Sequence, residues 1–391
     1  MTLLASGSQL GQANAHKSVA KLVVSPSRAL IDQQVDVRVT GLRRGEKVAL
    51  VATAKDGLGI GWRSQLVFTA DGRGRVDTRS QMKLFWSMRP SKGSDQDTAF
   101  AFTRPEMPVL MRALVRGHTA ASGVLTRLSH STDLTARNTT LANEGFVGTY
   151  FARPADSPGP AVLLLGGSGG GHGSYPGGLL GLIPSHGYST LSLGYFNEPG
   201  LSQDLRRFPL EYFRTALQWL AVQPGVDPKW LVVVGISYGG QAALLSGGYF
   251  PDLVRGVVTC TSGAFAGASV PDQTDAAWSI GGEPVLARSA IPVEKIGGPV
   301  LAFGGGKDAI SNSAEAVREI VARARAHGRT DIVGHVYADA GHGVGCRVPN
   351  LPVGDEVPGT NVYAGGTPAT NAAAAVATWP LVLRFLRTLQ Q

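Results

Sequence analysis

Cysteine is scarce in this chain, which has only two among its 391 residues, Cys260 and Cys346. They lie far apart and belong to no metal-binding or redox motif, so the sequence predicts neither a disulfide framework nor a metal site. We expect both to be reduced thiols, as in a reducing compartment. The alternative, Cys346 as a nucleophile just after His342, is disfavoured because its loop offers no helix start to activate a thiol.

Long apolar runs are also missing. No stretch approaches the ~18 apolar residues of a membrane-spanning helix, and the first residues lack the charged start and apolar segment of a secretory signal. We therefore expect a cytoplasmic protein without a membrane span, and a flexible segment over residues 1–19. The 43% of apolar residues is enough to fill a sizeable core, and the length favours two or three units.

Acidic residues are sparse in the first third of the chain. Residues 1–130 hold 19 Lys or Arg against 9 Asp or Glu, whereas residues 131–391 hold 17 against 19. The basic residues of the first third are scattered between apolar ones and form no nucleic-acid-binding motif. We interpret them as solvated strand faces and expect no nucleic-acid partner.

The first part of the chain alternates apolar and polar residues with the period of a β-strand. Segments 21–24, 35–39, 47–52 and 65–69 show this pattern and are separated by glycine-containing turns. Further candidates follow at 75–78, 97–102 and 109–115. About seven short strands predict a β-sandwich over residues 20–128.

Residues 129–391 change to alternating strands and helices. Segment 161–165 is a continuous apolar run, typical of a strand buried on both faces of a parallel sheet. Further strands are predicted at 134–140, 145–151, 188–193, 231–234, 254–259, 300–303 and 332–337, and helices at 208–222, 313–326 and 372–389. This alternation predicts a doubly wound α/β domain.

A G-x-S-x-G pattern occurs twice, at 166–170 and at 235–239. Ser237 follows a predicted strand and precedes small residues that let a helix pack closely, as a nucleophile elbow requires. Ser168 is followed by further glycines, which do not begin a stable helix. We predict Ser237 as the nucleophile, and the backbone amides of Gly167, Ser168 and Tyr238 as an oxyanion hole. For the match at 166–170, the alternative is a flexible loop that contributes nothing to an oxyanion hole.

An α/β-hydrolase fold places an acid and then a histidine downstream of the serine, each after the carboxyl end of a later strand. Asp308 and His342 each follow such a strand. Asp331 precedes its strand and so lies at the opposite end of the sheet, and Asp339 is only a loop neighbour of His342. His172 lies in the predicted oxyanion loop and is an alternative contact for the substrate.

Taken in order along the chain, these features resemble the acyl-CoA thioesterase and bile acid-CoA:amino acid N-acyltransferase family. The resemblance covers nearly the whole chain after about residue 20 and depends on the order of its segments more than on any one of them. Those segments are LFWSMRP, HGYSTLSLGYFN, PLEYFRTALQWL, GISYGG, IPVEKIGGPVLAFGGGKD, DIVGHVYADAGH and GGTPATNAAAAVATWPLVLRFL.

This resemblance implies an immunoglobulin-like sandwich followed by an α/β-hydrolase catalytic domain. It assigns the nucleophile to Ser237, the acid to Asp308 and the histidine to His342, the same three residues that the pattern predicts. The implied reaction is acyl transfer from a small-molecule acyl thioester, most simply a CoA thioester, with no cofactor and no metal. Because CoA carries phosphates, we expect some arginines of the basic first third to face the catalytic cleft.

The residue type at position 237 bears on the acyl acceptor. Members that make amides use cysteine as the nucleophile, whereas this chain has serine. An acyl-serine is an oxyester, for which water activated by histidine is the usual acceptor, so hydrolysis is favoured over amino acid N-acylation. An esterase or amidase with the same residues, and a non-catalytic binding protein with the same fold, are the alternatives. The sequences of segments 261–290 and 343–371 do not identify the acyl group of the substrate.

Overall fold

The computed structural model describes residues 19–78, 82–91, 100, 102, 104–153, 158–170, 179–353 and 362–389. The expected flexible segment 1–19 lies almost entirely outside these ranges, as does part of the predicted strand at 97–102. Among the described residues, every helix is too short or too polar to cross a lipid bilayer.

The N-terminal part is a sandwich of two sheets. Its elements are β1 (Lys21–Ser25), β2 (Arg28–Leu30), β3 (Asp36–Thr40), β4 (Lys47–Lys55), β5 (Gly61–Thr69), β6 (Val76–Asp77), the short helix α1 (Lys83–Trp86), β7 (Arg89–Pro90), β8 (Glu106–Val115) and β9 (His118–Leu128). One sheet has the order β1-β3-β6 and the other the order β2-β9-β8-β4-β5-β7.

Alternation along the strands explains this packing. In β8 the side chains of Met107, Val109, Met111 and Ala113 are buried, and the residues between them are exposed. Because successive side chains in a strand point to opposite faces, one face of β8 joins the core between the sheets and the other meets solvent. The period-two pattern of the sequence therefore predicts this unit correctly.

The C-terminal part contains a longer series of elements. They are β10 (Ala136–Thr139), α2 (Leu141–Glu144), β11 (Val147–Phe151), β12 (Gly159–Leu165), α3 (Leu179–Ser185), β13 (Ser189–Gly194), β14 (Phe208–Pro209), α4 (Leu210–Ala221), β15 (Val226–Ile236), α5 (Tyr238–Tyr249), β16 (Val254–Cys260), β17 (Trp278–Ile280), β18 (Glu283–Val285), β19 (Val300–Gly305), α6 (Ser313–Ala326), β20 (Ile332–Tyr337) and α7 (Pro368–Thr388).

The main sheet has the order β10-β11-β13-β12-β15-β16-β19-β20. β10 and β11 pair in antiparallel fashion, and the pairs from β13 through β12 to β20 are parallel. The carboxyl ends of β15, β16, β19 and β20 therefore meet along one edge, where the loops that follow them converge. This is the doubly wound α/β architecture of the α/β-hydrolase fold.

Both faces of this sheet are covered. Ala161, Leu163 and Leu165 of β12 join the apolar core on one side, whereas Val162 and Leu164 join the core on the other. All five are fully buried. The continuous apolar run predicts this central strand because a strand covered on both faces has no solvent-facing position to fill.

A small three-stranded sheet, β14-β17-β18, lies outside the main sheet and is absent from the sequence prediction. Phe208 and Pro209 pair with Trp278 and Ser279, so α4 begins at Leu210 and not at residue 208 as predicted. Strands of two or three residues carry too little periodicity to be recognised in a sequence.

The two parts of the chain are joined at a polar contact centred on Asp32. Its Oδ2 accepts hydrogen bonds from Nε2 of His186, at 2.6 Å, and from Nε1 of Trp379, at 2.8 Å. Asn350 donates to the backbone oxygens of Ile31 and Asp32. The sandwich is therefore bonded to the residue that follows α3, to α7 and to the loop that follows His342.

Cys260 and Cys346 form a disulfide, with their Cα atoms 5.8 Å apart. The prediction of two unpaired thiols is therefore wrong, and so is the alternative of Cys346 as a free nucleophile. The two cysteines are 86 residues apart in sequence. β19 and β20 lie between them, and because both are parallel to β16 the chain returns to the same edge of the sheet.

Candidate active site

Ser237 occupies the tight turn between β15 and α5. It has a φ of 54° and a ψ of −120°, with β15 ending at Ile236 and α5 beginning at Tyr238. A positive φ is uncommon for a residue with a Cβ and is strained, so the surrounding structure must hold it in place. This is the geometry of a nucleophile elbow, which exposes the serine at the end of a strand.

The positions around Ser237 require glycine for steric reasons. A Cβ added at Gly235 would lie 2.0 Å from the carbonyl oxygen of Gly239, and one added at Gly239 would lie 2.1 Å from that of Gly166. Both distances are far below any that a real Cβ tolerates. Only glycine fits either position, and the second contact brings the loop at 166–170 against the elbow.

That loop lies directly beside Ser237. A Cβ added at Gly167 would be 3.3 Å from Cβ and 3.9 Å from Oγ of Ser237. The hydroxyl of the fully buried Tyr195 lies within hydrogen-bond distance of the carbonyl oxygens of Gly166, at 2.7 Å, and of Gly167, at 2.9 Å. Tyr195 thus holds the carbonyls of this loop in place.

Backbone amides of the same region are candidate hydrogen-bond donors to a ligand oxygen. Within the described residues, the amides of Gly167, Ser168 and Tyr238 donate to no backbone oxygen. Tyr238 is the first residue of α5, where an amide has no acceptor inside the helix and the helix dipole is positive. An oxygen next to Ser237 would find donors of this kind on two sides.

Asp308 lies in the turn after β19, and its side chain is only 1% exposed. Its carboxylate oxygens accept hydrogen bonds from Nδ1 of His342 at 3.0 and 3.1 Å. They also accept from the amides of Ile310 and Ser311 and from the hydroxyls of Ser311 and Ser313. Every described partner of the carboxylate is thus a donor to its charged form.

These donors determine the ionisation of Asp308. Burial by itself raises the pKa of the carboxyl group, but the bonds from His342, Ser313 and Ser311 outweigh burial and hold the pKa below its ordinary value. Asp308 is therefore ionised at neutral pH. An ionised carboxylate at Nδ1 fixes the orientation of the imidazole and leaves Nε2 for a second partner.

His342 is held by three segments of the chain. Its amide donates to the carbonyl oxygen of Ala364 at 2.7 Å, and its carbonyl oxygen accepts from Nη2 of Arg347 at 3.0 Å. The amide of the preceding Gly341 donates to Oδ1 of Asn371 at 2.8 Å. Burial lowers the pKa of Arg347 to about 10, so this residue remains a cation at neutral pH.

The structure brings two of the predicted residues, Asp308 and His342, into direct contact and places Ser237 on the same sheet edge, with β16 between β15 and β19. Within the described ranges, Oγ of Ser237 forms no hydrogen bond with His342. Such bonds are often long before a substrate binds and shorten in the complex.

Neither of the alternative acids takes the place of Asp308 beside His342. Asp331 precedes β20 and pairs with Arg329 at 2.7 Å, at the end of the sheet opposite to Asp308. Asp339 is exposed, and among the described residues it forms no hydrogen bond or ion pair with His342. His172 lies outside the described residues.

Side chains of α5 fasten the segment that contains β17 and β18. The hydroxyl of Tyr238 donates to the carbonyl oxygen of Ala268 at 3.0 Å. Oε1 of the buried Gln241 accepts from the amide of Gly267, at 2.8 Å, and from Nε1 of Trp278, at 3.4 Å. This segment, residues 263–285, is therefore attached to the helix that begins at the elbow.

Two family models match the chain. Residues 32–138 match the acyl-CoA thioester hydrolase/BAAT N-terminal region, and residues 208–277 and 281–390 match the BAAT/acyl-CoA thioester hydrolase C-terminal region. Together they cover most of the sequence. The chain belongs to the acyl-CoA thioester hydrolase/BAAT family. Membership agrees with the resemblance that the sequence segments show.

Curated relatives in this family align along almost their full length. Acyl-coenzyme A amino acid N-acyltransferase 1 of Mus musculus is 26% identical, over 94% of this chain and 97% of its own. Acyl-coenzyme A thioesterase 1 of Rattus norvegicus is also 26% identical, over 94% and 96%. The mitochondrial acyl-coenzyme A thioesterase 2 of Rattus norvegicus is 25% identical, over 96% and 90%.

Two solved structures are less similar to this chain than the curated relatives are. An esterase of Pyrobaculum calidifontis shows 16% identity and a TM-score of 0.47, over 65% of this chain and 85% of its own. A dienelactone hydrolase of Anabaena variabilis shows 14% identity and a TM-score of 0.37, over 66% and 99%.

Three residues of the site were missed by reasoning from the sequence. Tyr195 directly follows β13, so its position after a strand end was a usable signal. Ser313 is the first residue of α6 and Asn371 lies in the first turn of α7, where polar residues are common for capping alone. Nothing in the sequence distinguishes these two from ordinary helix starts.

Three arginines of the basic first third have acidic partners in the structure. Arg28 pairs with Glu106, Arg38 with Asp77, and Arg75 with Asp71, all within the sandwich. These three pairs therefore give no support to a phosphate-binding role for that part of the chain.

Proposed function

We propose that this protein is an acyl-CoA thioesterase that hydrolyses its substrate through an acyl-enzyme on Ser237. The observation that carries the proposal is the buried pair of Asp308 and His342 on the sheet edge where Ser237 forms a strained elbow. An ionised carboxylate bonded to Nδ1 keeps the imidazole in the form whose Nε2 can take a proton from a serine. Family membership and the names of the relatives support a thioester as the substrate.

In the first half of the reaction, Oγ of Ser237 attacks the thioester carbonyl carbon while Nε2 of His342 takes its proton. The carbonyl oxygen becomes an oxyanion and accepts hydrogen bonds from the amides of Tyr238 and of Gly167 or Ser168. The carbon–sulfur bond then breaks, and the thiol of CoA leaves with the proton that His342 returns. The acyl group remains on Ser237 as an ester.

In the second half, His342 removes a proton from water, and the resulting hydroxide attacks the acyl ester. The tetrahedral intermediate uses the same amides. Ser237 leaves with the proton from His342, so the products are a free acid and the regenerated enzyme. Asp308 stays ionised throughout and stabilises the imidazolium.

The nucleophile favours water over an amine as acceptor. An acyl-cysteine is a thioester, which amines attack readily, whereas an acyl-serine is an ester and less reactive toward them. Serine at position 237 thus favours a hydrolase, although several relatives are named amino acid N-acyltransferases. The cytoplasmic location stays a prediction, and the Cys260–Cys346 disulfide removes one of the grounds for it.

Turnover of a substrate panel tests the proposal. Purified protein is offered acyl-CoAs of increasing chain length, simple esters, lactones and amides, with and without glycine or taurine. We expect thiol release and free acid from acyl-CoA, and no amide product. Activity on CoA-free esters alone would instead assign an esterase, and amide formation would assign an N-acyltransferase.

Two serine variants complete this experiment because the chain has two G-x-S-x-G matches. Ser237→Ala should lower kcat by about 10⁴- to 10⁶-fold. Ser168→Ala keeps the backbone amide of residue 168, and its kcat should fall far less. Thiol release that survives in Ser237→Ala, or a larger loss in Ser168→Ala, would contradict the mechanism.

A further inference from the structure

The disulfide between Cys260 and Cys346 lies beneath the candidate active site. Cys260 is the last residue of β16, and Cys346 lies four residues after His342. Their exposed fractions are 0% and 1%. The bond therefore joins the strand that separates β15 from β19 to the loop that carries the histidine.

One end of the disulfide is bonded to the nucleophile's own backbone. The amide of Ser237 donates to the carbonyl oxygen of Cys260 at 2.9 Å, and Ile236 pairs with Cys260 in the parallel ladder. Any displacement of Cys260 therefore moves an acceptor on which the elbow depends. The elbow needs such support because the φ of Ser237 is strained.

The other end holds the histidine loop. The amide of Cys346 donates to the carbonyl oxygen of Gly343 at 3.3 Å, and the amide of Gly343 donates to Oγ1 of Thr261 at 3.1 Å. Thr261 directly follows Cys260. Two adjacent links, one covalent and one a hydrogen bond, thus connect the end of β16 to the segment just after His342.

The segment between His342 and Cys346 has little stiffness of its own. Gly343 has a φ of 99° and Gly345 a φ of 93°, and the loop contains no helix or strand. Glycines in such conformations lose much backbone entropy when they are fixed. The loop therefore depends on external constraints, of which the disulfide is the covalent one beside the bonds to Ala364 and Arg347, and small displacements of a catalytic group are costly for rate.

We propose that the Cys260–Cys346 disulfide is a positioning element that keeps His342 in reach of Ser237, so that the oxidised protein is the active form. This inference rests on the proposed function only in that His342 acts on Ser237, and not on which acyl group is transferred. Reduction by a dithiol would give two cysteine thiols, with both electrons and both protons supplied by the dithiol as it closes to its cyclic disulfide.

Kinetics of cysteine variants test the inference. We expect Cys260→Ala, Cys346→Ala and the double variant each to lower kcat by about 10- to 100-fold with little change in KM. Because the cysteines act as one unit, the double variant should lose no more than either single variant. Val348→Ala is the matched control, since it shortens a buried side chain of the same loop and keeps the disulfide.

A second measurement is independent of the acyl substrate. A fluorophosphonate labels an activated serine when Oγ displaces fluoride from phosphorus and the proton passes to the histidine. The cysteine variants should be labelled at Ser237 about 10- to 100-fold more slowly than the wild type and Val348→Ala. If the wild type fails to hydrolyse acyl-CoA but is labelled, the proposed substrate is wrong and the labelling rates still decide the role of the disulfide.

Three results would overturn the inference. The first is two free thiols in the native protein when it is unfolded without a reductant. The second is an unchanged labelling rate in the folded double variant at a temperature well below its unfolding. The third is an equal loss in Val348→Ala, which would show a purely structural role. As a further check, wild type that is reduced and then freed of reductant should lose activity and regain it on reoxidation.

Discussion

Gly239 packs directly against the carbonyl oxygen of Gly166, so closely that a Cβ at Gly239 would lie 2.1 Å from that oxygen. The two residues belong to the two separate G-x-S-x-G matches of the sequence. One match forms the elbow that carries Ser237, and the other is the loop that lies against it. The two matches thus lie side by side at the candidate site, where glycine permits the close approach of their backbones.

This contact makes Gly239→Ala a sensitive test of the loop's role. The added methyl group would displace the loop at Gly166 and Gly167, and we expect kcat to fall by about 100-fold through loss of oxyanion donors. Gly72→Ala is the control, since a Cβ there would meet nothing within 4 Å. A folded Gly239→Ala protein with normal kcat would argue against an oxyanion hole in this loop.

The hydroxyl of Tyr195 holds the same loop through the carbonyl oxygens of Gly166 and Gly167. Tyr195→Phe should lower kcat by about tenfold because Gly166 and Gly167 lose the donor to their carbonyl oxygens. Its matched control is Tyr212→Phe, which removes a half-buried hydroxyl bonded to Gly194 and Val147. Each should cost about 1 kcal/mol of stability. Steady-state kinetics with thermal unfolding separate the two effects, and equal kcat losses would refute the positioning role of Tyr195.

Replacement of each carboxylate in turn distinguishes Asp308 from Asp339, which is close to His342 in sequence. Asp308→Asn presents an amide to Nδ1 of His342, favours the wrong tautomer and should lower kcat by about 10⁴-fold. Asp339→Asn changes an exposed carboxylate three residues from His342 and should leave kcat as it is. The reverse order of effects, measured with any substrate that the wild type turns over, would move the acid's role to Asp339.

The environment of Asp32 predicts that stability depends on pH at the junction of the sandwich and the C-terminal part. Burial raises the pKa of this carboxyl, but hydrogen bonds from His186 and Trp379 outweigh burial and lower the pKa below its ordinary value. The folded state therefore prefers the charged form. The resulting stability is present above the ordinary pKa of about 4 and is lost as the pH falls through the folded value.

Asp32→Asn should thus destabilise the protein by about 1 to 3 kcal/mol near neutral pH. Acidification below about pH 4 should narrow the difference in free energy of unfolding between the variant and the wild type, because Asp32 of the wild type then loses its charge. Urea unfolding at a series of pH values measures both curves. A difference that stays constant or widens below about pH 4 would show that the charge of Asp32 is not what stabilises the junction.

Most of the fold is determined by local patterns in the sequence. The run Ala161 to Leu165 predicts a central strand because each of its residues must be apolar, and the alternation in β8 predicts a strand with one buried face. Ser237, Asp308 and His342 could be singled out because each follows a strand in the order that the fold requires. Periodicity and chain order need no knowledge of which strands are neighbours.

Only the tertiary structure decided the contacts that depend on sheet order. The pairing of Cys260 with Cys346 requires that β16, β19 and β20 lie side by side and run in parallel, which spacing along the chain does not express. The hydrogen bonds from Tyr195 to Gly166 and from Gly341 to Asn371 join residues whose proximity comes from packing. The sequence therefore determined which residues can do chemistry, and the folded sheet decided what holds them in place, because distance in space is set by strand order and not by separation along the chain.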